Sequence, residues 1–199
     1  METTPSVRKA IASSVSPAFE PLTLAEVKAH LRLAEDSVDH DQYVLDAIKR
    51  ARDEFEQKSN IVLASGTYTM AINDWPAGSF IELPVRPVSS ITSVTYTLES
   101  GSTATWLSSL YALNNYDSMP RLVIKYNESW PSNRGYYGDI VITFVAGYAS
   151  RSAIPQGIKH ALLVDIDRRF EKRGAEEEKG TASITYDSIA NSYQRQTYP

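Results

Sequence analysis

Histidines and carboxylates are the side chains of this sequence that could most readily do chemistry. His40 lies between Asp39 and Asp41, and an imidazole flanked by two carboxylates could bind a divalent metal ion, for example in a nuclease. Neighbouring residues on a helix point in different directions, however, and helical metal ligands are spaced three or four residues apart. We therefore interpret the triplet as the solvated start of a helix, with a metal-dependent nuclease as the alternative.

The rest of the sequence carries no signature of catalysis. It lacks a nucleophile elbow, a P-loop, a zinc-protease helix motif and a dinucleotide fingerprint. It has no cysteine, which excludes disulfides, thiolate metal sites and cysteine nucleophiles. We expect His30 to pack on the apolar face of a helix, and His160 has a carboxylate partner only if folding supplies one. The sequence thus predicts no enzyme, no catalytic residue, no metal site and no cofactor.

Aromatic residues offer a different chemistry, which is stacking against a sugar or a base. The chain has three tryptophans and 12 tyrosines. Trp75 and Trp130 each precede a proline, and an aromatic ring at such a position commonly packs against the proline at the base of a loop. Internal packing is the favoured interpretation, and a carbohydrate- or ligand-binding β module is the alternative.

Charge and hydropathy limit the classes of binding partner and the cellular compartment that we expect for this protein. With 24 acidic and 20 basic residues the formal net charge is −4, which argues against a protein that holds DNA by neutralising its phosphates. The first twenty residues lack the apolar core of a signal peptide, and no apolar run approaches the roughly 18 residues that span a bilayer. We expect a soluble protein of the cytoplasm with no membrane partner.

Helical patterns occupy two separate parts of the chain. A capping-box pattern begins at Thr23 and predicts a short first helix. A second helix is expected from near Asp39 or Asp41 to about Lys58, and Pro155 suits the first position of a third helix. The third helix has an apolar stripe that recurs every four residues, made of Ile158, Leu162, Ile166 and Phe170.

Between the helical parts, short runs of β-branched and aromatic residues alternate with turn signals, which indicates a small antiparallel sheet or sandwich. The candidate strands are residues 67–72, 80–83, 91–98, 121–126 and 139–145, with a weaker one at 105–106. We therefore predict an α+β fold: a small helical bundle of two N-terminal helices and one C-terminal helix, with an inserted antiparallel β domain and extended terminal arms.

This prediction divides the chain into an N-terminal arm (1–20), a helical bundle (21–63 and 150–173), an inserted β domain (64–149) and a C-terminal tail (174–199). The tail is polar with sparse apolar side chains, and such a segment cannot bury enough apolar surface alone to offset its ordering entropy. We expect a neighbouring subunit to hold the tail, with docking on its own domain as the alternative.

Four segments of the chain form an ordered pattern. They are the opening helix Pro21-Leu-Thr-Leu-Ala-Glu-Val-Lys-Ala-His-Leu-Arg32, the segment Leu83-Pro-Val-Arg-Pro-Val88 with Ile91-Thr-Ser-Val94, the turn Ser129-Trp-Pro131, and a closing run of Ala146-Gly-Tyr148, Ile154-Pro155, Ile158-Lys159 and Ala161-Leu-Leu163. In order and spacing they resemble the tailed-phage head–tail connector proteins, also called head-completion adaptors. The tail after Gly174 does not align with the family pattern.

The resemblance implies a structural virion protein at the neck of the capsid vertex, assembled in the host cytoplasm. Such proteins form a ring, usually of twelve copies, between the portal and the tail or the next connector component. They extend the channel through which DNA passes without sequence-specific binding. A stopper or tail-completion protein of the same virion is the alternative within this class.

The resemblance also implies where the partners bind. In the family the C-terminal segment docks on the portal, so the apolar residues of the tail are the candidate portal contacts: Ile184, Tyr186, Ile189, Tyr193 and Tyr198. Carboxylates near the second helix are candidates for facing the channel, where they would keep DNA from sticking: Asp36, Asp39, Asp41 and Asp46. A plain solvated helix face is the alternative for these four.

Overall fold

The structure is a computed structural model that describes residues 10–13, 17–116, 119–136 and 138–171, together with residues 186, 188, 191 and 192. The chain divides into two compact units. The β unit comprises residues 1–16 and 65–147, and the helical unit comprises residues 17–64 and 148–199. The helices and antiparallel sheets of the described residues confirm the α+β fold class predicted from the sequence.

The helical unit contains three α-helices in its described residues. They are α1 (Leu24–His30), α2 (Asp41–Ser59) and α3 (Gln156–Glu171), and a short 3₁₀ turn at Arg151–Ala153 precedes α3. The three predicted helices are therefore present.

Apolar stripes of helical spacing hold these helices together. On α2 the buried stripe consists of Val44, Ala47, Ile48, Ala51 and Phe55. On α3 it consists of Ile158, Ala161, Leu162 and Ile166. Both stripes join one hydrophobic cluster with Val27 of α1, because residues three and four apart lie on the same side of a helix.

The ends of the helices follow local chemistry. At the start of α1 the Glu26 N–H donates to Thr23 Oγ1 (3.1 Å), and the Thr23 N–H donates to Glu26 Oε2 (2.7 Å), as the predicted capping box requires. α2 ends at Ser59, and the following residue, Asn60, caps it with a left-handed backbone (φ 55°); the Asn60 N–H donates to the Glu56 carbonyl (2.9 Å). Pro155 directly precedes α3.

The described part of the β unit contains eight strands in two sheets. They are β1 (Ala10–Ser13), β2 (Gly66–Ile72), β3 (Phe80–Glu82), β4 (Val88–Thr97), β5 (Thr103–Thr105), β6 (Tyr111–Asn114), β7 (Arg121–Ile124) and β8 (Ile140–Ala146). The larger sheet has the order β1-β2-β8-β4-β5, the smaller has the order β3-β7-β6, and all neighbouring strands are antiparallel.

β8 is the central strand of the larger sheet. It pairs along its length with β2 on one side and with β4 on the other. Its residues alternate strictly between buried and half-buried, and the buried ones are Ile140, Ile142, Phe144 and Ala146. Since successive side chains of a strand point to opposite faces, one face of this sheet packs into the core of the β unit.

Two strands escape the sequence analysis, and the limits of the others shift by a few residues. β6 lies between the candidate strands 105–106 and 121–126 and pairs with β7, with Asn114 opposite Arg121. β1 lies within the predicted N-terminal arm and pairs with residues 68–71 of β2. Both strands are only four residues long, and the partner of β1 is distant in sequence, so local composition does not reveal them.

Candidate functional site

The four candidate channel aspartates lie around the start of α2 but do not share one environment. Asp36 and Asp39 are exposed in the connection between α1 and α2. Asp46 is exposed on α2, where it accepts hydrogen bonds from a glutamine amide one turn earlier (3.2 Å). Asp41 instead lies with its Oδ1 2.5 Å from Lys28 Nζ. Three of the four carboxylates thus face solvent, and the fourth is engaged within the helical unit.

Lys28 organises this connection, and the sequence analysis does not identify it. Only 5% of Lys28 is exposed, although lysine is rarely buried. Its ammonium group donates to the carbonyl oxygens of Glu35 (3.2 Å) and Ser37 (2.6 Å) and pairs with Asp41. Two hydrogen bonds and one ion pair thereby compensate the burial of this cation and fix the connection to α1. The sequence feature that could have indicated a buried Lys28 is a lysine beside the apolar stripe of α1, followed by a connection rich in carboxylates.

The three histidines are dispersed over the helical unit. His30 is exposed, which corrects the prediction that it packs in the core, because the buried position next to Val27 on α1 belongs to Lys28. His30 and His160 both line an open groove of about 560 Å³ between α1 and α3. His40 contacts the Phe170 ring edge-on, with ring centroids 5.7 Å apart. Within the described ranges, no three His, Asp or Glu side chains are arranged to hold a metal ion.

A buried carboxylate fixes the segment that leads into β8. Asp139 accepts hydrogen bonds from Arg134 Nη2 (2.7 Å) and from the Tyr136 N–H (2.7 Å). The hydrogen bond from Arg134 outweighs the effect of burial and holds the pKa of Asp139 below its usual value. The arrangement is that of a structural clamp, because both donors come from the same short segment as the acceptor.

Charged residues of α2 form a second structural network, in the helical unit. Arg52 is buried and pairs with Glu20 (2.5 Å) and Asp53 (2.8 Å). Glu56 Oε1 accepts a hydrogen bond from the Leu63 N–H (2.7 Å), which ties the chain beyond α2 back to the helix. Burial raises the pKa of Glu56, and the bond from Leu63 and the nearby Arg52 offset this only in part.

The tryptophans form a single aromatic cluster in the β unit. The rings of Trp75 and Trp130 stack with centroids 4.9 Å apart and 9° between their planes, and Trp106 lies 5.6 and 5.3 Å from them. Trp106 also contacts Tyr111, and Trp130 Nε1 donates to the Gly78 carbonyl (2.8 Å). The rings use their faces to pack against one another, which favours internal packing over a platform for ligands.

Tyr186 is the candidate portal contact that lies in the described part of the chain. The other four, Ile184, Ile189, Tyr193 and Tyr198, lie outside the described residues. Tyr186 is 2% exposed and joins the hydrophobic cluster of the helical unit. Lys58 Nζ lies 4.7 Å from the centroid of its ring, in cation–π geometry. At this residue the tail contacts its own unit, which is the alternative that the sequence analysis keeps open.

The fold and its polar clusters define a structural class: a helical bundle with an antiparallel β insertion, whose buried charged side chains form ion pairs. Residues 21–119 of this chain belong to the phage gp6-like head-tail connector protein family, whose model matches them. The match confirms the resemblance to head–tail connector proteins that the sequence motifs indicate. No curated protein matches the chain. In the described ranges no helix is both long and apolar enough to cross a membrane.

Solved structures of gene transfer agent (GTA) particles contain chains of the same fold. A chain in the neck of an empty GTA particle, computed with C6 symmetry, has a TM-score of 0.80 at 21% identity and covers 96% of this chain and 97% of its own. A chain in the virion of the native particle has a TM-score of 0.79 at 21% identity, covering 95% and 97%. A chain in the native neck computed with C12 symmetry has a TM-score of 0.77 at 19% identity, covering 96% and 97%.

Proposed function

We propose that this chain is a structural virion protein, not an enzyme, that forms a connector ring between the portal and the tail or the next connector component. The observation that carries the proposal is the match of residues 21–119 to head-tail connector proteins. The likeness of fold to chains from particle necks and a virion supports it, because the similarity extends over nearly the whole chain.

The proposed ring has twelve copies and surrounds the channel through which DNA passes. The C12 symmetry used for one of the similar necks supports this number. In this arrangement Asp36, Asp39 and Asp46 face the channel, where their carboxylates repel the DNA backbone and keep it moving. Asp41 contributes through its ion pair with Lys28, which holds the acidic connection in place.

The proposed contact with the portal is the C-terminal tail, residues 174–199. Its apolar side chains would bind as anchors, and twelve tails on one ring add avidity to weak single contacts. Because Tyr186 is buried in the helical unit of its own chain, binding through this residue requires it to leave that core. The tail is therefore proposed to exchange an internal contact for an external one.

Co-sedimentation with assembled portal rings tests the proposal. We would compare the full chain, a chain ending at Arg173, and a matched control in which the order of residues 174–199 is scrambled at constant length and composition. Portal binding by the full chain alone is the expected result. Binding by all three would keep the connector role and move the contact to the helices or the β loops. Absence of binding by the full chain would contradict the connector role and favour a stopper or a ligand-binding module.

A further inference from the structure

The open groove between α1 and α3 is a surface of the helical unit that the proposed function does not use. Its volume is about 560 Å³. Apolar and polar side chains of both helices and of the residue before the first one line it, among them Leu22, Glu26, His30, Lys159, His160 and Leu163. A groove with apolar walls and a few convergent polar groups is the usual form of a binding site.

The charges of this groove favour an acidic occupant. Lys159 Nζ lies 3.4 Å from Glu26 Oε1, so these two opposite charges offset one another. His30 and His160 are both exposed, and imidazoles change their charge near physiological pH. A carboxylate placed beside an imidazole is attracted to its protonated form and stabilises it. The groove is therefore suited to a segment that brings carboxylates to the two histidines.

The helical unit holds both ends of the segment 172–185, which lies outside the described residues. On one side, the Tyr43 hydroxyl at the start of α2 donates to the Arg169 carbonyl near the end of α3 (3.3 Å). On the other side, Tyr186 lies against Lys58 in the last turn of α2. Because α2 has 19 residues and is about 28 Å long, this segment connects opposite ends of the helical unit.

The same segment contains the longest acidic run of the chain, residues 176–178, which are three glutamates. They follow Glu171, the last residue of α3, by five to seven residues, and an extended chain of that length reaches about 17 to 24 Å. His160 precedes Glu171 by 11 residues, which is about 16 Å along a helix. The acidic run can therefore reach the groove while the chain continues to Tyr186.

We propose that the groove between α1 and α3 binds the acidic run of its own chain, with the carboxylates of residues 176–178 beside His30 and His160. The charge of the groove and the length of chain between α3 and Tyr186 support this occupant. Since both ends of the segment are held by the same unit, the run is present at a high effective concentration. This inference goes beyond the proposed function, and it stands or falls without the ring or the portal contact.

The three histidines of the chain allow a direct test by NMR. We would record the imidazole C2–H resonances between about pH 5 and about pH 9 and determine the midpoint of each titration. The full chain is compared with the full-length variant Glu176→Gln/Glu177→Gln/Glu178→Gln at about 0.15 M salt, where charges more than about 8 Å apart are largely screened. The matched control is Glu99→Gln/Glu128→Gln, which removes exposed carboxylates of the β unit.

We expect the midpoints of His30 and His160 to lie about half a pH unit or more higher in the full chain and the control than in the triple variant. His40, which contacts Phe170 and does not line the groove, should titrate alike in all three proteins. Equal midpoints of His30 and His160 in the full chain and the triple variant would overturn the inference. A change confined to His40 would also overturn it, because the acidic run would then lie at the end of α3.

Discussion

Single charged residues fix the loops of this protein. Lys28 holds the acidic connection between α1 and α2 through two carbonyl oxygens and Asp41. Asp139 holds the segment before β8 through Arg134 and the Tyr136 N–H. In both cases a buried charge is satisfied by donors or acceptors from a nearby connection, which is how a polar group is tolerated in a folded interior.

Replacing Lys28 by methionine is expected to destabilise the helical unit. Lys28→Met preserves most of the side-chain volume but removes the donor to two carbonyl oxygens and the cation that pairs with Asp41. We expect a loss of about 2 kcal/mol in the free energy of unfolding, measured by urea denaturation. Lys49→Met is the control, because Lys49 is exposed and lies 3.9 Å from Asp46, so its loss should cost less than about 0.5 kcal/mol. Equal effects of the two variants would refute the assigned role.

Asp139 should make the stability of the β unit depend on pH in the acidic range. Its pKa is lower in the folded protein than in the unfolded chain, so its contribution is present above the usual value near 3.8 and is lost as the pH falls through the folded pKa. Asp139→Asn should therefore lower the thermal midpoint at pH 7, and its deficit relative to the parent should shrink below about pH 4. A deficit that stays constant from pH 7 to pH 3 would show that ionisation of Asp139 is not the cause.

Glu56 should show the opposite dependence. Because burial raises its pKa above the usual value near 4.5, ionisation of Glu56 opposes folding at neutral pH and ceases to do so as the pH falls. Glu56→Gln keeps an oxygen that can accept from the Leu63 N–H, so it should raise the thermal midpoint at pH 7 and lose this advantage below about pH 4.5. A lower midpoint at pH 7 would mean that attraction to Arg52 outweighs burial.

At the scale of secondary-structure elements, the sequence predicts features that neighbouring residues determine. It misses features that depend on contacts made only in the folded chain. The start of α1 follows from Thr23 and Glu26, three residues apart, and the stripe of α3 follows from its four-residue spacing. β1 is missed because its partner strand β2 is remote along the chain, and β6 is missed because it is only four residues long and ends in an asparagine, a residue depleted in strands. The burial of Lys28 is missed because its partners lie in the following connection and at the start of α2. They reach Lys28 only when this connection folds back on α1.

The tail contact at Tyr186 gives a prediction for the helical unit. Tyr186→Ala removes a buried ring from the core of the unit and a cation–π partner from Lys58. We expect the free energy of unfolding to fall by about 3 kcal/mol, with unfolding monitored by the circular dichroism of the helices. Tyr116→Ala is the matched control, because Tyr116 is 99% exposed and its loss should cost less than about 0.5 kcal/mol. A Tyr186→Ala protein as stable as the control would show that the tail does not stabilise the unit.

At the scale of the whole molecule, three features bear on assembly. The family match supports a connector, Asp36 and Asp39 are exposed in the connection between α1 and α2, and the tail contacts its own helical unit at Tyr186. The portal contact and the ring are proposals that combine these features, and each depends on weak contacts that repetition around a symmetry axis makes strong. The family could be predicted from the order of the sequence motifs. The binding partners could not, because they are defined by contacts between different chains.

Electron microscopy of particles from a strain that carries this gene with a stop codon near its start tests the connector role itself. A connector ring predicts that DNA-filled heads without tails accumulate, and that the full chain supplied in trans restores tailed particles. The chain ending at Arg173, supplied in the same way, should restore few. Tailed, infective particles at the parental yield in the absence of the protein would contradict the account.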